Sequence, residues 1–140
     1  MEGKFLEQGL SYQLVGCFYT VRNLYGSGHR EVFYDRVLDE VLAAEEIHFI
    51  NKPRVSLHSI QTGNAISFII PDKLIGGKIL LEVKAKPFTT NDDMGQVLEY
   101  LRITEYEILY LVNFGEKYFQ PKRFIYTNDR KSFLAHKSNP

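Results

Sequence analysis

Cysteine is nearly missing from this chain: Cys17 stands alone among 140 residues, which excludes an internal disulfide and any zinc site built on several thiolates. With Val15, Phe18 and Tyr19 around it, the thiol reads as a buried packing group, and a reducing cytoplasm is the economical setting. No apolar run approaches the roughly 20 residues of a membrane helix, and Met1-Glu2-Gly3-Lys4 carries no secretory pattern, so no membrane partner is expected. Seventeen basic residues offset seventeen acidic ones. No global positive field therefore announces a polyanion partner, although local basicity can hide inside a balanced total. His29, His48, His58 and His136 lack metalloprotease spacing and receive surface or turn roles. A glycine-rich phosphate loop and a serine elbow are also missing, which removes nucleotide hydrolysis and esterase chemistry.

What is present, 44% hydrophobic and 24% charged residues, is the balance of one globular domain over residues 1–140 with a real core. From about residue 129 the chain turns polar, a tail that Phe133 and Leu134 can dock. Apolar residues at helical spacing predict a helix over 11–25 and, after Gly26-Ser27-Gly28, a second over 30–46 with Val32, Phe33, Val37, Leu38, Val41 and Leu42 on one stripe. Extended runs follow at 53–60, 65–74 and 78–85, separated by Gly63-Asn64 and Gly76-Gly77, and predict three strands joined by two hairpins. A helix over 91–104, capped by Asn91 or Asp92, and strands at 108–114 and 123–126 complete the order.

Pro71-Asp72 stands ten residues ahead of Glu82-Val83-Lys84, two acids and a lysine around a short hairpin. Carboxylates are hard oxygen ligands suited to Mg²⁺ or Mn²⁺, and an ammonium can steady a scissile phosphate or orient a water. Alternation along a strand makes Glu82 and Lys84 project together, with Val83 pointing into the opposite layer and its carbonyl available to a metal. For Asp72 to share that face its register partner must be even-numbered, which predicts a three-residue loop over 76–78 or a bulge rather than a two-residue turn. Ile79-Leu80-Leu81 reads as a central strand buried on both faces, and charges that emerge from it need a partner or a metal. An ordinary same-face ion pair is the competing reading of the Glu-x-Lys triplet. Lys86, Lys122, Arg123, Arg130 and Lys131, with Phe88, Tyr118 and Phe119, are candidates for a phosphate path with stacking surfaces; scattered surface charge is the plainer alternative.

These motifs, in this order, resemble the PD-(D/E)XK phosphodiesterase superfamily and, within it, the GxxExxY family. Gly28-His29-Arg30-Glu31-Val32-Phe33-Tyr34 is similar to the naming motif. Pro71-Asp72 with Glu82-Val83-Lys84-Ala85 is similar to the catalytic core, Gln96-Val97-Leu98-Glu99-Tyr100-Leu101 to the helix after it, and Leu111-Val112-Asn113-Phe114-Gly115 with Lys122-Arg123 to the closing strands. Arg22, where the family often has His, and His29, in place of a bulky apolar residue, depart from the pattern.

The resemblance implies an α/β, restriction-endonuclease-like core: a central mixed β-sheet flanked by α-helices with a divalent-metal site at its rim. It implies Asp72 and Glu82 as metal ligands with the Val83 carbonyl, Lys84 as the catalytic lysine, and Glu31 reaching toward the metal from its helix. Glu31 and Tyr34 lie three apart on one helix face, so the phenol packs or bonds beneath the acid; Tyr34 is counted with Gln96, Tyr100, Lys86, Lys122 and Arg123 among the expected nucleic-acid contacts. Gln96 and Tyr100, four apart, match a pair that holds the DNA strand in the exonuclease branch. The implied activity is metal-dependent hydrolysis of DNA, single-stranded or at an end. A dimeric junction-resolving endonuclease and a catalytically idle nucleic-acid-binding module are the alternatives, and homo-oligomeric assembly stays open.

Overall fold

In the computed structural model, which describes residues 6–134, two helices come first, α1 (Gln8–Tyr25) and α2 (Glu31–Ala44). Five short strands follow, β1 (Phe49–Asn51), β2 (Val55–His58), β3 (Ala65–Ile69), β4 (Lys73–Ile75) and β5 (Ile79–Lys84). Helix α3 (Asn91–Arg102), β6 (Ile108–Asn113), β7 (Lys122–Ile125) and a 3-10 turn at Asn128–Arg130 close the chain. A five-stranded sheet runs β1-β4-β5-β6-β7, and β2-β3 forms a separate hairpin. Only β5 and β6 are parallel, joined through α3; the remaining pairs are antiparallel. The expected mixed sheet flanked by helices is thus the fold observed.

The reason β5 takes the centre is chemical. Ile79, Leu80 and Leu81 are each fully buried, and a side chain of this size withdrawn from water contributes about 1.5–3 kcal/mol. Ile79, Leu81 and Val83 pack with Leu14, Phe18, Leu38 and Leu42 of α1 and α2. Leu80 faces the other way, with Val97, Leu101, Leu109 and Leu111 beneath α3. The sheet therefore has two apolar faces, and a charged residue on β5 has to stand at the strand's end.

Several boundaries differ from the sequence-based expectations. The run over 65–74 is two strands in two sheets, because Pro71 has no N–H to continue a ladder and the chain turns there. Phe49–Asn51 is a strand that the sequence pattern does not predict, because three residues are too few to display a period. Helix α2 ends at Ala44, and Glu46 takes a left-handed φ of 59°. Thr90 is the N-cap of α3, in place of Asn91 or Asp92: its hydroxyl accepts the Asp93 N–H (3.1 Å) while the Asp93 carboxylate accepts the Thr90 N–H (2.9 Å), a reciprocal capping box.

The segment after β7 is tied down as far as residue 134. Phe133 is buried and stacks on His58 with centroids 4.9 Å apart. The Lys131 ammonium is buried and donates to the Thr104 and Tyr106 carbonyls at 2.9 and 2.6 Å. His58 itself is buried, with Nδ1 3.0 Å from the Gly63 carbonyl, so it is a packing residue of the hairpin and not a surface one. His136 lies outside the described residues. Cys17 is buried as expected, and burial pushes its thiol up to about 11. No helix among the described residues is long and apolar enough to cross a membrane.

Candidate active site

The register of one hairpin decides whether the acids meet. Ile75 pairs with Ile79 and Lys73 with Leu81, leaving Gly76, Gly77 and Lys78 as the three-residue loop. Gly76 and Gly77 have φ of 59° and 71°, a region that residues with a Cβ avoid. Extended by one residue, that register sets Asp72 opposite Glu82, so both leave the sheet on the face of Leu74 and Leu80.

Each acid is gripped by the other's strand. The Asp72 N–H donates to Glu82 Oε1 at 3.1 Å, and the Val83 N–H donates to Asp72 Oδ2 at 2.7 Å. Since β6 lies on the opposite edge of β5, that second bond shows that the Val83 peptide faces the Asp72 side; its carbonyl leaves the strand on the same side. Lys84 lies two residues past Glu82 on the same face, beside Asn113 of β6. The Lys84 ammonium makes no hydrogen bond or ion pair among the described residues, while its charge acts on both Glu82 and Glu31.

The electrostatics mark a concentration of negative charge. Glu82 is pushed up to about 7, first by burial and then by Asp72. Glu31, in the first turn of α2, is raised by partial desolvation and by Asp72, with Lys84 and Lys52 opposing. Among the described residues no three His, Cys, Asp or Glu side chains could hold a metal by themselves. A donor set of two carboxylates and one main-chain carbonyl nonetheless fits Mg²⁺ or Mn²⁺, which takes hard oxygens and keeps waters for its remaining positions. The raised Glu82 is the observation that fits: its carboxylate is held where a negative charge lacks enough compensation.

Gln96 and Tyr100 project from α3 into a cleft of about 180 Å³ that they share with Glu82, Ile69, Ile70 and Pro71. Lys122 stands in the cross-strand row Glu82–Leu111–Lys122 and so leaves the sheet on the acids' face. Four residues expected on the nucleic-acid path are engaged elsewhere in the fold: Tyr34, Arg123, Lys86 and the buried Lys131. Tyr34 is fully buried, donates its hydroxyl to the Gly26 carbonyl (2.6 Å), accepts the His29 N–H (3.1 Å) and stacks on Phe114; it supports the helix that carries Glu31. Arg123 belongs to the row of Leu81 and Tyr110, on the α1–α2 face, where it donates to the Leu6 carbonyl. Lys86 lies beyond the end of β5 with its ammonium 2.6 Å from Asp93, which holds that carboxyl down to about 2; it anchors the start of α3.

Sequence reasoning missed a row of charges behind Asp72. Lys73, fully buried on the helix face, donates to Asp35 (2.7 Å) and to Asn51 (2.8 Å). Its Nζ also lies 2.6 Å from Asp39 Oδ1, an approach that lacks hydrogen-bond direction and acts as charge on charge. Lys52 donates to Asp72 Oδ1 at 2.7 Å and sits 3.8 Å from Asp35. The signal was available: Asp35 and Asp39 are four apart on α2, and Lys73 is a lone cation at a core-facing strand position.

A profile of the PD-(D/E)XK nuclease superfamily matches residues 8–124. The chain belongs to this superfamily. Comparison with curated proteins and with solved structures gives no match. Membership of the PD-(D/E)XK nucleases carries phosphodiester hydrolysis on a nucleic acid, and the hairpin that joins Asp72 to Glu82 stands within the matched span.

Proposed function

We propose that this nuclease is a divalent-metal-dependent deoxyribonuclease acting exonucleolytically on single strands or ends, in the cytoplasm, with Mg²⁺ or Mn²⁺ held by Asp72, Glu82 and the Val83 carbonyl and assisted by Glu31. The observation that carries the reading is the reciprocal amide clamp between Asp72 and Glu82, which puts both acids on one face beside an uncommitted lysine. The likeness to the GxxExxY family supports the same assignment of Glu31.

The chemistry a bound divalent cation supplies is acidification of water and neutralisation of charge on the phosphate oxygens. The chain's own residues do the rest. Lys84, whose ammonium has no hydrogen-bond or ion-pair partner among the described residues, orients the nucleophile and receives developing negative charge. Gln96 offers an amide to a phosphate oxygen, and Tyr100 a hydroxyl or a ring face to an unpaired base. Lys122 attracts the backbone along the same face of the sheet. A narrow cleft with one ring beside the acids suits one strand better than an intact duplex.

The test is a time course on 5′-labelled and 3′-labelled single-stranded DNA beside a duplex and a four-way junction. Mononucleotides or short products released first from one end support the exonuclease; paired symmetric cuts near the junction, with single strands untouched, would replace it with the dimeric resolvase.

A further inference from the structure

Lys52 is assigned no part in the chemistry above, yet its ammonium touches the residue on which the chemistry turns. It lies in the short connection between β1 and β2, with a left-handed φ of 53°. Two bonds tie it to Asp72: its N–H donates to the Asp72 carbonyl at 2.9 Å, and its Nζ donates to Oδ1 of the side chain at 2.7 Å. The other carboxylate oxygen, Oδ2, already accepts from Val83, so Oδ1 is the atom that faces outward.

Asp35 does not compete strongly for this lysine. Its Oδ2 is 3.8 Å away, and its other oxygen accepts from the buried Lys73 at 2.7 Å. The contrast between the two lysines is informative. Lys73 is fully buried and belongs to the scaffold, whereas the Lys52 side chain is 56% exposed and free to swing into water. The ammonium keeps its access to water while Asp72 is only 16% exposed, so a divalent cation with twice the charge can displace it from the carboxylate and leave it solvated.

Resting on the metal-site reading above, we propose that Lys52 is a resident cation: its ammonium occupies Asp72 Oδ1 in the metal-free protein, is displaced when the divalent ion takes that oxygen, and then pairs with a backbone phosphate of the bound strand. The main-chain bond to the Asp72 carbonyl keeps the lysine's backbone beside the site throughout, so that only the side chain has to move. The lysine thus limits metal affinity in the resting protein and adds substrate affinity in the loaded one.

Calorimetric titration with Mn²⁺ of the full chain, its Lys52→Met variant and its Lys52→Arg variant tests the first half. Removing an ammonium that competes for Oδ1 predicts about 5-fold tighter Mn²⁺ binding by Lys52→Met, the upper end for such a pair, with Lys52→Arg close to the parent. At saturating Mn²⁺, Lys52→Met should raise KM for single-stranded DNA several-fold and leave kcat near the parent value. A merely structural lysine would not tighten metal binding when removed. Mn²⁺ binding that is unchanged or weaker in Lys52→Met overturns this proposal alone; no Mn²⁺ binding by the parent and both variants overturns the metal-site reading and this proposal with it.

Discussion

Glu82 is where the chemistry of a single residue can be read most directly. Its folded value of about 7 lies above the ordinary carboxyl value of 4.5, so the folded protein holds the proton more tightly than the unfolded chain does. Between about pH 4.5 and 7 the native state binds more protons, and the stability of the metal-free protein must fall as pH rises through that window. Metal affinity should move the other way, because the proton has to leave before the carboxylate can coordinate. Denaturant midpoints and Mn²⁺ titrations from pH 5 to 8 should show opposite slopes that flatten above about 7, and Glu82→Gln should lose both. Lys84 makes the companion prediction. Its ammonium makes no hydrogen bond or ion pair among the described residues, so Lys84→Ala should lower cleavage by roughly 10²–10⁴-fold, the range for a group acting on the reacting atoms, with a melting temperature near the parent's. A variant that cleaves normally, or that unfolds, would remove the lysine from its role. At this scale the sequence was informative because strand parity is a rule of two: it placed Glu82 and Lys84 together and predicted the odd loop that brings Asp72 round to them. It set Tyr34 beneath Glu31 on one helix face but did not reveal that the hydroxyl is used up by Gly26 and His29, which takes the ring off the nucleic-acid path.

The helix and strand ends around the site are held by contacts that no periodicity displays. Asn113, opposite Lys84, is buried; its Oδ1 accepts the Lys86 and Gly115 N–H groups, and its Nδ2 donates to Thr89. This side chain stitches the exit of β5 to the exit of β6. Gly115 completes the stitch by close approach, since a Cβ there would lie 2.5 Å from the Lys86 carbonyl oxygen and 2.6 Å from its nitrogen. Backbone atoms cannot move aside without shifting the segment that follows Lys84. Gly115→Ala should therefore cost about 1–3 kcal/mol, as overpacking does, and depress activity. Gly95→Ala in α3 meets nothing within 4 Å and should raise stability by up to about 1 kcal/mol from helix propensity. Urea unfolding of the two variants side by side checks the contrast, and equal effects would refute it. The helices were legible because an amphipathic stripe over three or four turns is a strong signal. Strands β1 and β4, three residues each, fall below the length at which alternation means anything, and Thr90 lies outside the apolar pattern that located α3.

Over the whole molecule, the proposed site needs α2 at a fixed depth against β4, since α2 carries Glu31 and β4 follows directly on Asp72. The buried Lys73 fixes that depth by binding Asp35 and touching Asp39 on the helix. Breaking a buried pair by deleting one partner typically costs about 3–5 kcal/mol. Lys73→Met should cost roughly 3 kcal/mol, since Asp35 and Asp39 keep some access to water, and should weaken Mn²⁺ binding without altering any ligand. A Lys73→Met protein of parental stability would show that the contact does not set the packing. The overall architecture was legible from the order of elements and from one intensely apolar strand, because a strand buried on both faces needs helices on both. The separation of the β2–β3 hairpin from the main sheet was not legible, since it depends on Pro71 interrupting a run that otherwise reads as continuous.

The claim on which the rest stands is that Asp72, Glu82 and Lys84 form one metal-dependent hydrolytic site. Cleavage of end-labelled single-stranded DNA by the purified chain, with Mg²⁺ or Mn²⁺, with EDTA, and with metal restored after EDTA, measures it in one gel; Asp72→Asn is run alongside. Products are expected only in the lanes where the parent chain has metal, none with EDTA, and none from Asp72→Asn. Undiminished cleavage in EDTA, or by Asp72→Asn with metal, would contradict it.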